Sequence, residues 1–230
     1  MDNFSVLNGV NLKFSNRLYN FCKGLYRSVT PKYAFMVSKP LEPCVYLCRH
    51  LNLHGALTIG KCATFDMQTY VLHVFTNRKT CFEQFYNYTF SKRCNRRKAF
   101  ALLPSFICSL FVPLICNKEQ TIPVYRNGAE AVKTIKASLS ALKSGKCLLI
   151  FPNVDYTNSS KSEEHNIYDG FLLLEKFYFK SENKHLKFIP LIIDDRLKTV
   201  CEKPAISFTN DIPFEKEMPI VTKKIIDAIF

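Results

Sequence analysis

The sequence predicts an α/β fold, a mostly parallel sheet flanked by helices and preceded by a basic amphipathic N-terminal helix. Three observations carry the prediction. Apolar runs of strand length recur at 44–48, 70–75, 122–125, 148–151 and 188–193, and turn-forming residues bound them. Helical patterns alternate with these runs. The clearest helix, over 127–145, joins two of them through short connections, which implies a parallel pair with a crossover.

The elements follow in chain order. In the N-terminal segment, Leu12, Phe14, Leu18, Phe21, Cys22 and Leu25 lie among Lys13, Arg17, Lys23 and Arg27, the spacing of an amphipathic helix with a basic polar face. The pattern suits a helix lying on lipid and equally one packed on the domain with its charges in water; residues 1–40 are assigned to an amphipathic, membrane-associating segment and 41–230 to the α/β domain. Pro40 and Pro43 precede the first apolar run. The helix over 127–145 starts at Asn127, which can cap it with Glu130 three residues on, and stops at Gly145. Its apolar face is expected to be Val132, Ile135, Leu139 and Leu142.

Residues 99–116 carry no charge over eighteen positions, close to the roughly 20 needed to span a bilayer. Pro104 and Pro113 argue against a span. The expectation is a broken apolar helix, buried or lying in a membrane interface beside the basic run 92–98.

Composition narrows the classes. The 230 residues are 47% hydrophobic, which excludes an intrinsically disordered chain. The formal net charge is +13, and residues 1–110 hold fifteen basic against four acidic side chains, so the positive field belongs to the first half. The partner is expected to be anionic. Nothing resembling a helix-turn-helix, zinc-finger or RNP pattern is present, which disfavours nucleic acid. The first 32 residues interleave polar and apolar types without a cleavable-leader pattern, so the ten cysteines are read as reduced cytosolic thiols.

Chemistry is expected where strands end. The first such place is Cys48-Arg49-His50-Leu51-Asn52-Leu53-His54-Gly55. Neutral imidazole takes a proton from an alcohol at physiological pH, so His50 is the candidate general base. Cys44, Cys48, His50 and His54 are donor types, but they share one strand and its exit rather than forming two separated pairs, so no metal is expected. His73, His165 and His185 are assigned no role. The second place is Thr121 to Arg126, a strand delivering an arginine whose planar fork suits phosphate. The third is the run from Leu148 through Phe151, Pro152, Asn153, Val154, Asp155 and Tyr156, whose loop offers hydrogen bonds and one negative charge.

In order and spacing these segments, from 45 to 193, resemble the glycerol-3-phosphate and lysophospholipid acyltransferase superfamily. That family shows a strand leading into histidine with aspartate five positions later. It continues with a strand ending in arginine, a Phe-Pro-Glu-Gly-Thr-Arg type loop and an apolar strand containing proline. His50, Arg126, Phe151-Pro152 and Phe188-Ile189-Pro190-Leu191 stand in those places. Gly55 stands at the aspartate position, and Asn153, Val154, Asp155 and Tyr156 replace Glu-Gly-Thr-Arg.

The resemblance implies that His50 deprotonates an acceptor hydroxyl, which attacks an acyl thioester of coenzyme A or acyl carrier protein, while Arg126 holds a phosphate. Arg49, Asn52, Phe151, Pro152, Asn153 and Tyr156 complete the expected substrate-binding set, and no metal or redox cofactor is implied. The acceptor is a lysophospholipid, glycerol phosphate or similar amphiphile, met at an anionic membrane surface by a peripheral protein of the cytoplasmic face. In hydrolase triads, losing the orienting carboxylate costs on the order of 10⁴ in rate. A substitute is therefore expected: Asp155 first, with His54 as a second proton-handling residue. The alternative is a member of this fold that has lost catalysis and serves as a lipid-binding or partner-binding module.

Overall fold

Strand β2 (Cys44–Cys48) is buried at all five positions, and its neighbours explain why. In the computed structural model it lies between β5 (Cys147–Ile150) and β6 (Lys187–Asp194), parallel to both. A strand paired on both edges and covered on both faces reads as a continuous apolar run rather than an alternating one. The structure describes residues 31–51, 54–95, 97–126, 128–153, 167–209 and 211–230, with Arg17, Asn20 and Gly24 before them.

The fold is α/β, with a seven-stranded, mostly parallel sheet in the order β1-β7-β6-β2-β5-β3-β4, flanked by helices. The remaining strands are β1 (Ala34–Met36), β3 (Met67–Leu72), β4 (Ile122–Val124) and β7 (Thr199–Glu202). β3 runs parallel to β5, and β7 runs antiparallel to β6 through the turn between them. β1 is parallel to β7. The helices are α1 (His54–Cys62), α2 (Arg78–Gln84), α3 (Lys98–Lys118), α4 (Ala131–Lys143), α5 (Leu173–Glu182) and α6 (Phe214–Ile229). The described residues gather into two compact units, one within 31–70 and 125–230 and the other within 71–124.

In the first unit, Tyr46, Leu47, Leu148, Leu172, Leu174, Leu186, Phe188, Leu191 and Ile225 are fully enclosed. Each side chain of this size contributes roughly 1.5–3 kcal/mol when buried. Two carboxylates buried in this unit are both satisfied. Glu175 of α5, 2% exposed, accepts from the Leu186 amide at 2.7 Å and lies 2.7 Å from His185 Nδ1. Glu217 of α6 takes both the amide and the hydroxyl of Thr209 at 2.8 Å.

The second unit is built differently. Asn77 caps α2 by accepting from the Lys79 amide at 2.9 Å, and α2 continues as a π-helix over Phe85–Arg93. Phe75 and Phe90 both pack on Phe85, with ring centroids 5.4 and 5.6 Å away. Against this platform α3 lays Ala101, Ser105, Ser109, Pro113 and Cys116, a stripe of small residues. Ser105 donates to the Ala101 carbonyl at 2.6 Å and Ser109 to that of Phe106 at 2.7 Å.

Several expectations are corrected. The apolar segment expected to be broken at its prolines is one continuous helix, α3. The strand expected at 70–75 ends at Leu72, and His73–Thr76 forms a 3₁₀ turn closed by Thr76 donating to the His73 carbonyl at 2.8 Å. In α4 the buried face is Thr134, Ser138, Ala141 and Leu142, while Val132 is exposed. Two hydroxyls rotate this helix away from its apolar pattern. Thr134 accepts from the Tyr125 amide at 2.9 Å, and Ser138 Oγ lies 2.6 Å from the Tyr70 hydroxyl. Gly145 stops the helix with φ of 79°, as its position implies. The short strands β1 and β7 were not anticipated. The N-terminal amphipathic helix, apart from Arg17, Asn20 and Gly24, and the Asn127 cap lie outside the described residues.

Candidate functional site

Because β2, β5 and β6 are parallel neighbours, the loops that follow them emerge at one edge of the sheet, where α/β folds place ligands. His50 leaves β2 there. Its amide donates to Asn153 Oδ1 at 2.8 Å, and its ring meets Phe151 edge-on, centroids 5.4 Å apart. Asn153 is 4% exposed, so its side chain acts as an internal brace joining the histidine loop to the Phe-Pro loop. That loop is pinned in turn: Asn153 bridges to Ile167, and the Tyr168 amide donates to the Pro152 carbonyl at 2.8 Å.

Tyr168 also reaches Arg126. The guanidinium lies 4.1 Å from the centroid of the tyrosine ring, close enough for a cation–π contact. The structure thus brings together His50, Phe151, Pro152 and Asn153, and connects Arg126 to them through Tyr168, a residue the sequence did not single out. Asn52, Asp155 and Tyr156 lie outside the described residues, as does His165. Arg49 turns toward the end of α6, with its guanidinium 4.6 Å from the Phe230 ring centroid. His73 lies with Nδ1 3.1 Å from the Val124 carbonyl.

The turn from His50 into α1 is tight. Leu51 has φ of 45°, the His54 amide donates to the Leu51 carbonyl at 3.1 Å, and the Gly55 amide donates to the His50 carbonyl at 3.1 Å. A Cβ at position 55 would lie 2.1 Å from the Arg49 carbonyl oxygen. No side chain fits there without rebuilding the loop. Glycine at the position where the resembling family carries aspartate is therefore a structural requirement of this turn, beyond the absence of a carboxylate.

A histidine–carboxylate pair does exist at this edge, one turn further on. His54 Nε2 is 2.9 Å from Asp195 Oδ1, and the Tyr33 hydroxyl donates to the same oxygen. Lys198 Nζ donates to the Tyr33 hydroxyl at 3.3 Å, and the His54 ring meets Tyr33 edge-on at 5.9 Å. Tyr33 precedes β1, and Asp195 and Lys198 belong to the turn between β6 and β7. The Tyr33 hydroxyl, followed by His54, holds the Asp195 carboxyl below its ordinary range. An ionised carboxylate only accepts, so in this pair His54 Nε2 is the donor to Asp195 Oδ1. The cluster is open to solvent, His54 being 37% and Asp195 56% exposed. Sequence reasoning named His54 but not its partners, because residues from 33, 54, 195 and 198 meet only through sheet pairing.

The thiols behind the site are buried. Cys44 donates to Cys147 Sγ across 3.6 Å in the core, and burial pushes Cys48 up to about 12. Among the described residues no group of three metal-binding side chains converges. Comparison of the chain with protein-family models, with curated proteins and with solved structures gives no match to any of them.

Proposed function

We propose that this chain transfers an acyl group from a thioester of coenzyme A or acyl carrier protein to the hydroxyl of a lysophospholipid, glycerol phosphate or similar amphiphile. One observation carries the reading. His50 and the Phe151–Pro152–Asn153 stretch, whose order along the chain gives the resemblance to glycerolipid acyltransferases, are neighbours at the ligand-binding edge of a mostly parallel sheet.

In this reading the imidazole of His50 accepts the hydroxyl proton as the acceptor oxygen attacks the thioester carbonyl. The C–S bond then breaks, and the imidazolium returns the proton to the departing thiolate. Arg126, stacked on Tyr168, pairs with a phosphate through its planar fork. Among the described residues the carboxylate at this edge is Asp195, 2.9 Å from His54 Nε2. The acceptor is met at an anionic membrane surface on the cytoplasmic side, with the protein peripheral to it.

The test is transfer of radiolabelled acyl chains from both donor types to a panel of lysolipids and glycerol phosphate. Wild type is expected to form product and His50→Ala to lose it by at least about a hundredfold. Loss in His54→Ala and Asp195→Asn, with His50→Ala unaffected, would move the base to His54. Absence of product from folded wild type sinks the catalytic reading.

A second reading has its own observation, the impossibility of a side chain at Gly55. A fold whose histidine turn has closed over the dyad position suits a module that binds lipid or a partner without turnover. It predicts lipid binding indifferent to His50→Ala.

A further inference from the structure

Helix α3 is packed inside out. Its buried stripe is Ala101, Ser105, Ser109, Pro113 and Cys116, while Phe100, Leu102, Leu103, Phe106 and Ile107 face outward, Phe100 at 70% and Leu103 at 67% exposure. A helix serving a water-soluble core does the reverse, turning its large side chains inward. Small residues at helix contacts with large apolar ones outside is the arrangement proteins adopt against lipid, where close backbone approach rather than hydrophobic burial holds helices together. The outward face is contiguous over two turns, and such patches mark interaction sites.

Charge identifies the occupant. Residues 71–124 hold eight basic and two acidic side chains, +6. Lys92, Arg97 and Lys98 are exposed at the start of α3, and no acidic residue occurs between Glu83 and Glu119. A second copy of the chain on this face would set one basic surface against another. An anionic bilayer offers both the apolar layer and the counter-charge.

The helix is 21 residues long, about 31 Å at 1.5 Å per residue, and by length and composition could cross a membrane. Its neighbours argue for lying along one leaflet. Arg78 holds its guanidinium 5.5 Å from the ring centroid of Phe106, near the middle of the helix, where a spanning helix would carry it to the costly bilayer centre. For a helix lying in the interface, Arg78 and Lys79 sit at headgroup level. They rim a groove of about 530 Å³ whose floor includes Phe82 and Phe106. An apolar floor with a cationic rim fits the upper acyl chain and phosphate of an anionic phospholipid.

We propose that α3 is a membrane-docking element that lies in one leaflet of an anionic bilayer, with Leu103, Phe106 and Ile107 among the acyl chains and Arg78 and Lys79 on lipid phosphate. This names the surface by which the membrane reading above would be realised, and it does not depend on turnover by His50. The full chain contains no tryptophan, so Phe106→Trp places a single reporter on the face. On vesicles of phosphatidylcholine with phosphatidylglycerol its emission is expected to shift to the blue, and lipids brominated near the carbonyl are expected to quench it more than lipids brominated near the methyl end. Leu103→Gln and Ile107→Gln, both at exposed positions, are each expected to cut vesicle partitioning by about tenfold. Arg78→Gln should lower binding to anionic vesicles and leave any residual binding to neutral ones unchanged.

Partitioning that is absent in wild type, or equal in the glutamine variants, overturns the proposal. So does quenching strongest at the bilayer centre, which would make α3 a span. A lipid-free dimer, seen by sedimentation and lost in Leu103→Gln, would give the face to a second copy. His50→Ala is the control: vesicle binding without acyl transfer leaves the docking surface standing and removes only the catalytic reading.

Discussion

Strand β2 and helix α3 are both apolar runs, and the protein uses them in opposite ways. β2 buries every residue, with Tyr46 and Leu47 fully enclosed between two parallel neighbours. α3 buries alanine, serine, proline and cysteine and leaves phenylalanine, leucine and isoleucine outside. Hydrophobicity along the chain is therefore a poor guide to what lies inside. The partner each element finds decides which side chains are covered, and the small residues of α3 are covered because they permit close approach to α2 and its π-helical extension.

The most direct way to break this contrast is truncation of one leucine in each element. Leu47→Ala should cost about 4 kcal/mol, the cavity and transfer loss of a fully enclosed leucine. Leu103→Ala should change stability in the absence of lipid by no more than about 0.5 kcal/mol. Urea unfolding of the two variants measures both, and similar losses would mean that α3 is covered in solution.

The next effect concerns glycine. In α1, Gly55→Ala must displace the Arg49 carbonyl and is expected to cost about 3 kcal/mol. Gly60→Ala meets nothing within 4 Å and, in the same helix, should stabilise by up to about 1 kcal/mol. Thermal unfolding of the pair separates close packing at 55 from helix propensity, and a neutral Gly55→Ala would dismiss the tight histidine turn.

The smallest effect is electrostatic and belongs to the exposed edge of the sheet unit. The Asp195 carboxyl is held below its ordinary value of 3.8, so its stabilisation is present above that pH and is lost as pH falls through the lower folded value. At its exposure the contribution is a few tenths of a kcal/mol, roughly the worth of a solvated pair. Asp195→Asn should thus be slightly less stable than wild type at pH 7 and should converge with it as pH falls through the carboxyl's lowered folded value, as followed by urea titrations from neutral to acid pH.

What the sequence disclosed tracks these distinctions. Runs of β-branched and aliphatic residues located β2, β5 and β6 because these central strands have no polar face to dilute the signal, and the short apolar run of β4 marked the strand at the sheet's edge. Gly145 marked the end of α4 because a left-handed residue was needed there. β1 and β7 were missed because Ala34–Met36 and Thr199–Glu202 are segments of three and four residues, too short to carry a periodic signal. The face of α4 was misread because Thr134 and Ser138 are held by hydrogen bonds from Tyr125 and Tyr70, partners that hydropathy does not register. At the site, the closeness of His50 to Phe151 followed from two strand ends read in order. The His54–Asp195–Tyr33 cluster did not, because a residue before β1 and one in a hairpin turn acquire proximity only once β7 has paired with both β6 and β1.

The turn at Gly55 also constrains what position 55 can carry. Aspartate at position 55 would enter a loop with no room for its Cβ, so folding would fail before its carboxylate could serve any chemistry. Position 55 is thus closed to any side chain, and the carboxylate that meets a histidine at this edge comes instead from a neighbouring strand end, where Asp195 stands beside His54.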